Sequence, residues 1–137
     1  NRFEDFKIGD KGEVEKTITA EDLEVFAGLT LDNNPNHMDD EFAKNMPARQ
    51  RIVHGMLLGS LISAAVGTKM PGPGSIWIDQ NLKFVRPVMV GDTVKAVSEL
   101  LVKVEEKKYV IVRTTCYNQN GEVVVEGVGT HKIIDLD

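Results

Sequence analysis

The segment from Asp32 to His37 reads Asp-Asn-Asn-Pro-Asn-His and places a carboxylate five residues before an imidazole. An imidazole titrates close to neutral pH, and a nearby carboxylate can act as its partner or carry a proton. Two such groups can therefore serve as an acid/base pair on one water molecule. Pro35 fixes its own φ and biases Asn34 towards an extended conformation, while the Asn34 side chain can bond to neighbouring backbone. The same residue types also form ordinary surface turns, so chemistry alone leaves both interpretations open.

A second candidate is Gly55, which follows His54 at the start of an apolar segment. If a helix begins there, the Gly55 N–H and the helix dipole can stabilise negative charge that develops on a bound carbonyl oxygen. The missing side chain would let a substrate approach closely. Alternatively, Gly55 only permits close packing at a helix start, and His54 is a helix cap or a hydrogen-bonded core residue.

The other nucleophilic and metal-binding residue types form no pattern typical of a site. Ser60 and Ser63 lie in the apolar segment, and no G-x-S-x-G elbow is present to activate a serine. Cys116 lies in a predicted strand and is expected to pack in the core. The three histidines lack metal-ligand spacing, so no metal is expected. The turn-rich loop Met70–Gly74 lacks the Lys-Ser/Thr pattern of a phosphate-binding loop.

The candidate residues lie in the first half of the chain, which is predicted to be irregular and helical. Thr19 is a good N-cap with Asp22 three residues later, and the helix that follows is expected to end at Gly28. A short helix is expected over Asp39–Asn45. The segment His54–Val66 is apolar or small on nearly every side, which predicts a helix enclosed by protein.

The second half is predicted to be an antiparallel sheet. Four segments are rich in Val, Ile and Thr with partial alternation, namely Ser75–Val85, Thr93–Val104, Tyr109–Tyr117 and Glu122–Ile134. The turns Glu105–Lys108 and Asn118–Gly121 are too short for parallel crossovers, and the Asn-Gly pair of the second supplies positive φ. A buried helix followed by an antiparallel meander is the hot-dog arrangement, in which the sheet wraps around one long central helix. The expected fold class is α+β, with residues 1–137 as a single hot-dog domain.

Composition is that of an ordinary soluble globular protein. The 137 residues fit one domain, and the net charge of −5 offers no excess of cations for a nucleic-acid partner. A local basic patch can still serve coenzyme A. A single cysteine excludes an intrachain disulfide and suits a reducing compartment. No apolar stretch is long enough to span a membrane, and the first residues lack the regions of a signal peptide, so we expect a cytoplasmic protein.

The sequence resembles the MaoC-like, (R)-specific enoyl-CoA hydratase family. The segment Phe26–His37 matches the family's hydratase motif in the phenylalanine, the aspartate, the Asn-Pro pair and the histidine, all at the same spacing. The resemblance continues through Ile52–Leu58, Pro71–Ile76 and Leu82–Asp92 and is especially close to the stand-alone hydratases that supply (R)-3-hydroxyacyl-CoA for polyester synthesis. Leu31 departs from the Gly or acidic residue often found before the aspartate.

The resemblance implies reversible syn addition of water to a trans-2-enoyl-CoA, without a metal or redox cofactor; coenzyme A enters as part of the substrate. Asp32 and His37 would bind and activate the water, and the Gly55 amide would hold the thioester oxygen. Asn34 would support the loop, and Ser63 would assist by hydrogen bonding nearby. Members with one hot-dog domain usually form homodimers with the site at the subunit interface, so a homodimer is expected.

Three alternatives stay open. The first is a dehydratase that acts on acyl-carrier-protein substrates with the same acid/base pair. The second is a hot-dog acyl-CoA thioesterase, in which water would attack the thioester carbon; the spacing of Asp32 and His37 favours hydration instead. The third is a non-catalytic subunit that binds acyl thioesters, and the presence of both residues argues against it.

Overall fold

A computed structural model describes residues 2–136; Asn1 and Asp137, the ends of the predicted domain, lie outside the described residues. A 3₁₀ helix at Phe3–Asp5 precedes the main elements. These are β1 (Lys11–Thr17), α1 (Ala20–Thr30), α2 (Pro35–Met38), α3 (Asp40–Ala43), α4 (Gly55–Thr68), β2 (Ser75–Gln80), β3 (Lys83–Phe84), β4 (Thr93–Val104), β5 (Tyr109–Tyr117) and β6 (Val123–Ile133).

The strands form one antiparallel sheet in the order β1-β4-β5-β6-β2, and β3 also pairs with β6. Tight turns join β4 to β5 and β5 to β6, as predicted, and Gly121 supplies the positive φ of the second turn at 76°. The predicted strand Ser75–Val85 is in fact two strands. A register shift between Trp77 and Asp79 bends the chain, and β3 begins only after Asn81.

The first half is mostly irregular and helical, as expected, but it also contains strand β1, which the sequence did not predict. Strand β1 pairs with β4 along its whole length, from Lys11 opposite Glu99 to Thr17 opposite Thr93. Of its residues only Val14 is a partly buried apolar side chain, so the strand lacks the apolar alternation by which strands are identified. Its charged side chains suit an edge strand, because they discourage pairing with another chain.

Helix α1 begins as predicted and ends later than predicted. The Thr19 hydroxyl accepts a hydrogen bond from the Asp22 N–H (3.1 Å), and the Asp22 carboxylate accepts one from the Thr19 N–H (2.9 Å), which completes a capping box. The helix continues through Gly28 and stops at Leu31, whose φ of 68° is left-handed and whose N–H bonds to Ala27 O. The predicted helix at 39–45 is shorter, with Asp39 as the N-cap of α3.

Helix α4 is the helix around which the sheet wraps. It packs against β1, β4 and β5, and one face is buried along its length by Leu57, Leu58, Ile62, Ala65 and Val66. Each large side chain of this face contributes about 1.5–3 kcal/mol to folding by leaving water. Cys116 lies in the same core, where burial raises the pKa of its thiol to about 12. Within residues 2–136 no helix combines the length and hydropathy needed to cross a membrane.

Candidate active site

The loop after α1 ends in a helical turn, α2, that carries His37. Asn34 caps this turn: its side-chain oxygen accepts a hydrogen bond from the Asn36 N–H (3.0 Å), and its carbonyl accepts one from the His37 N–H (2.9 Å). Pro35 occupies the first helical position, which suits its fixed φ. The segment predicted as a polar loop is therefore partly helical, and Asn34 makes the contacts of a capping residue.

Asp32 lies at the exposed start of this loop, directly after the left-handed Leu31. Its N–H bonds to the Thr30 hydroxyl at 3.3 Å, and that hydroxyl donates to Phe26 O at 2.7 Å. A carboxylate oxygen of Asp32 lies 3.4 Å from the Asn34 N–H, which is a long contact. The backbone of Asp32 is therefore tied to the end of α1, while its carboxylate is exposed to water.

The hydrogen bond of His37 defines the form of its ring. Nδ1 lies 2.7 Å from Ile52 O, and a carbonyl oxygen can only accept, so Nδ1 carries the hydrogen. In the neutral ring the lone pair is then on Nε2. This tautomer presents a proton acceptor at the tip of the side chain, which is the arrangement that a general base requires.

The segment before α4 also binds the backbone of the loop. Arg51 Nε donates to His37 O at 2.6 Å, and the Ile52 N–H donates to Asn36 O at 3.1 Å. The Arg51 side chain is only 13% exposed, and its far end lies 3.8 Å from a carboxylate oxygen of Glu24. Arg51 did not stand out in the sequence, because only its three-dimensional neighbours reveal this contact.

His54 joins the loop to the start of α4. Its ring is 1% exposed, and Nε2 donates to Asp32 O at 2.9 Å. The ring lies 4.3 Å from the His37 ring and 4.9 Å from the Phe26 ring, centroid to centroid. Burial lowers the pKa of His54, which favours the neutral ring. His54 is the N-cap residue of α4, but it caps the helix with its backbone only, and its side chain is a hydrogen-bonded core group, so each interpretation of His54 is partly confirmed.

Gly55 is the first residue of α4, so its N–H has no carbonyl of a preceding helical turn to bind. A Cβ at this position would lie 2.9 Å from the Phe84 ring, so the glycine allows the ring to pack against the helix start. Gly55, His37, Phe84 and Arg86 line one pocket of about 330 Å³ together with apolar side chains of neighbouring residues. Phe84 is a pocket residue that the sequence did not single out.

The structure brings some of the predicted residues together and separates others. His37 and Gly55 share the pocket, whereas Asp32 and Ser63 are not among its lining residues. Ser63 lies on an exposed face of α4, eight residues and so about 12 Å along the helix axis from Gly55. Among residues 2–136 no group of three His, Cys, Asp or Glu side chains is arranged to hold a metal ion.

The sequences of two curated relatives align with most of this chain. It is 47% identical to an (R)-specific enoyl-CoA hydratase of Rhodospirillum rubrum over 93% of this chain and 88% of that protein. It is 37% identical to a 3-hydroxybutyryl-CoA dehydratase of Methylorubrum extorquens over 96% of this chain and 83% of that protein.

Solved structures and a family model agree with these relatives. An R-hydratase of Pseudomonas aeruginosa in its unliganded form superposes with a TM-score of 0.92 at 39% identity, over 98% of this chain and 86% of that one. The antiparallel sheet around α4 is thus the hot-dog fold that the sequence predicted. The family model for the MaoC like domain matches residues 7–122. The chain belongs to the MaoC-like family.

Proposed function

We propose that this protein is an (R)-specific enoyl-CoA hydratase, a hydro-lyase that reversibly adds water to a trans-2-enoyl-CoA to give an (R)-3-hydroxyacyl-CoA. The observation that carries the proposal is the shared pocket of His37 and Gly55. His37 has a free lone pair on Nε2 and Gly55 has the N–H of a helix start, and both residues line the cavity; an acceptor and a donor of this kind are what hydration requires. The names of the relatives support the same reaction.

The proposed mechanism uses one water molecule bound by Asp32 and His37. His37 Nε2 accepts a proton from the water as its oxygen bonds to C3 of the substrate. The electron pair of the double bond moves onto the thioester carbonyl, and the Gly55 N–H and the dipole of α4 stabilise the resulting oxyanion. The acid/base pair then returns one proton to C2 on the same face, so that water is added without net release of a proton.

The proposal needs no cofactor, because the water supplies both the hydroxyl group and the proton. The apolar part of the pocket, which includes Leu58 and Val88, suits an acyl chain.

We assign residues 1–137 to one hydratase unit, since the matched residues 7–122 leave only short segments at either side. The proposed location is the cytoplasm, because the proposed substrate is an acyl-CoA and because the single cysteine, Cys116, stays reduced there.

A homodimer is the proposed assembly. Strand β2 is at the edge of the sheet, and Ile76, Trp77 and Ile78 on it are 39–51% exposed. An edge strand with exposed large apolar residues is a surface that proteins normally cover. Phe84 and Val85, which line the pocket beside Gly55, are exposed as well, so a subunit docked at β2 would extend towards the pocket.

The test is to incubate the purified protein with crotonyl-CoA and follow two signals, the absorbance of the conjugated enoyl thioester and the release of free thiol. We expect absorbance to fall without thiol release, and the product to be a substrate only for an (R)-specific 3-hydroxyacyl-CoA dehydrogenase. Thiol release would identify a thioesterase instead. Turnover of crotonyl-carrier protein but not of crotonyl-CoA would identify the carrier-protein dehydratase, and no turnover of either would identify a binding subunit.

A further inference from the structure

The ring of His54 occupies a position between the two halves of the candidate site. On one side it bonds to the backbone of Asp32 and contacts the His37 ring. On the other side its own backbone begins α4, because His54 O accepts hydrogen bonds from the N–H groups of Leu57 and Leu58. The next N–H along the chain is that of Gly55. His54 therefore connects the loop that carries Asp32 and His37 with the proposed oxyanion donor, the Gly55 N–H.

The protonation state of the His54 ring suits a rigid link between Asp32 and the start of α4. The Asp32 carbonyl can only accept a hydrogen bond, so Nε2 carries the hydrogen and Nδ1 does not. Nδ1 is buried and has no hydrogen-bond partner among the described residues. Protonation would place an unpaired charge at that atom, and burial lowers the pKa of the ring, which favours the neutral tautomer with its hydrogen on Nε2. A ring with a single donor in a single place restrains the Asp32 carbonyl to one position.

The other hydrogen bonds that the described residues make with the loop over Asp32–His37 do not join Asp32 to α4. Arg51 and Ile52 bind the loop at His37 and Asn36, which are its final residues. At Asp32 the other hydrogen bonds are local ones, to Thr30 and Asn34, at 3.3 and 3.4 Å. The bond from His54 is shorter, and it is the one that reaches Asp32 from the helix that carries Gly55.

We propose that His54 is a positioning residue, which sets the Asp32 carboxylate relative to His37 and the Gly55 N–H through its Nε2–H bond to Asp32 O. This inference rests on the proposed hydratase function. It assigns His54 no contact with the substrate and no proton transfer. Displacing a catalytic group by about 1 Å lowers turnover on the order of 10²-fold, which is the size of effect expected when the bond is lost.

The experiment compares two substitutions that separate the donor from the ring. His54→Phe keeps a ring beside Phe26 and His37 but removes the donor, and an apolar ring is tolerated in a buried site. His54→Gln removes the ring but places an amide N–H at about the reach of Nε2. We expect His54→Phe to lower kcat for crotonyl-CoA roughly 100-fold with KM changed less than about threefold. We expect His54→Gln to recover at least about tenfold of that loss.

A second measurement does not depend on activity. If the bond positions the loop at Asp32, the amides of Asp32 and Asn34 exchange hydrogen faster in His54→Phe than in the wild-type protein, and His54→Gln slows them again. Leu100→Ala is the control for lost stability, because Leu100 is buried in β4 and makes none of the loop contacts; it should leave kcat per folded molecule unchanged.

The proposal is overturned by any of three results: near-normal kcat in His54→Phe, equal kcat in the Phe and Gln variants, or unchanged loop exchange in His54→Phe. A wild-type protein that fails to hydrate crotonyl-CoA would refute the proposed function separately, and the exchange rates would still decide whether His54 positions the loop.

Discussion

At the scale of single residues, Asp32 and His37 have different surroundings. His37 is half-buried, and its tautomer follows from the bond to Ile52 O, whereas the Asp32 carboxylate is exposed and only its backbone is fixed. An exposed carboxylate can bind water readily, and an oriented imidazole can take a proton from such a water. The proposed division of work follows from this difference, with His37 as the base and Asp32 as the group that holds the water.

Asp32→Asn and His37→Ala should each lower kcat for crotonyl-CoA by about 10²–10⁴-fold, because each removes one member of the acid/base pair. Neither side chain is part of the buried core, so the circular dichroism spectrum and the melting temperature should stay close to those of the wild-type protein. Asp40→Asn is the matched control, since Asp40 is an exposed carboxylate on α3. Wild-type turnover in either site variant would remove that residue from the mechanism.

The sequence predicts the three candidate chemical groups but not what holds them. Asp32, His37 and Gly55 were identified because their types and spacing carry the proposed chemistry. The sequence does not identify Arg51 and allows two interpretations of His54, because the partners of these side chains lie 14 and 22 residues away in the chain. Spacing along one element does not predict which carbonyl a distant side chain will reach.

At the scale of elements, prediction succeeded where a local pattern determines the structure. Strands β4 and β5 have the predicted bounds, because Val-rich alternation stops at turns of charged or Asn-Gly residues. Strand β1 was missed because its pairing with β4, not its own composition, makes it a strand. The end of α1 was misplaced because Gly28 is a common helix terminator, whereas this helix ends at a leucine in a left-handed conformation.

Leu31→Gly should raise the free energy of unfolding by up to about 1 kcal/mol. A left-handed conformation costs a non-glycine residue roughly 1–2 kcal/mol, which outweighs the greater freedom of glycine in the unfolded chain. The Leu31 side chain is 84% exposed, so little apolar burial is lost. The quantity to measure is the midpoint of urea unfolding at fixed protein concentration.

Leu29→Gly is the matched control, because Leu29 is 80% exposed and lies two residues earlier, inside α1. Its backbone is helical, so glycine there should lower stability by about 0.5–1 kcal/mol. Opposite signs for the two substitutions would establish that the conformation at Leu31, and not its exposed side chain, is responsible. Destabilisation by both would contradict this explanation.

At the scale of the whole molecule, His131 couples stability to pH. It is 1% exposed in β6, its ring stacks on Trp77 of the edge strand, and burial lowers its pKa to about 4, against a smaller opposing effect of Asp79. The unfolded chain, in which histidine titrates near 6.5, binds this proton first as pH falls. The stability that neutral His131 contributes is therefore fully present above pH 6.5 and is lost as pH falls from there towards pH 4.

His131→Phe should remove that dependence. Between pH 7.5 and pH 5 the wild-type protein is expected to lose roughly 2 kcal/mol through His131 alone, since one pKa unit corresponds to about 1.4 kcal/mol. Carboxylates also titrate at low pH, so the informative quantity is the difference between variant and wild type in urea unfolding at the two pH values. Parallel losses in both proteins would exclude His131 as the source.

The proposed homodimer is tested by a charge on the edge strand. Ile78→Lys places an ammonium on β2, where a docked subunit would have to bury it, and an unpaired buried charge opposes association. Val102→Lys is the matched control, because Val102 is also 46% exposed but lies in β4, inside the sheet order. Light scattering should give a monomer for Ile78→Lys and a dimer for the control and the wild-type protein.

Because Phe84 and Val85 of the pocket are exposed beside the same surface, the monomer should also hydrate crotonyl-CoA at least about tenfold more slowly, by losing the ordered surroundings of the site. A monomer with full activity would separate the site from the interface, and a dimeric Ile78→Lys would move the interface away from β2.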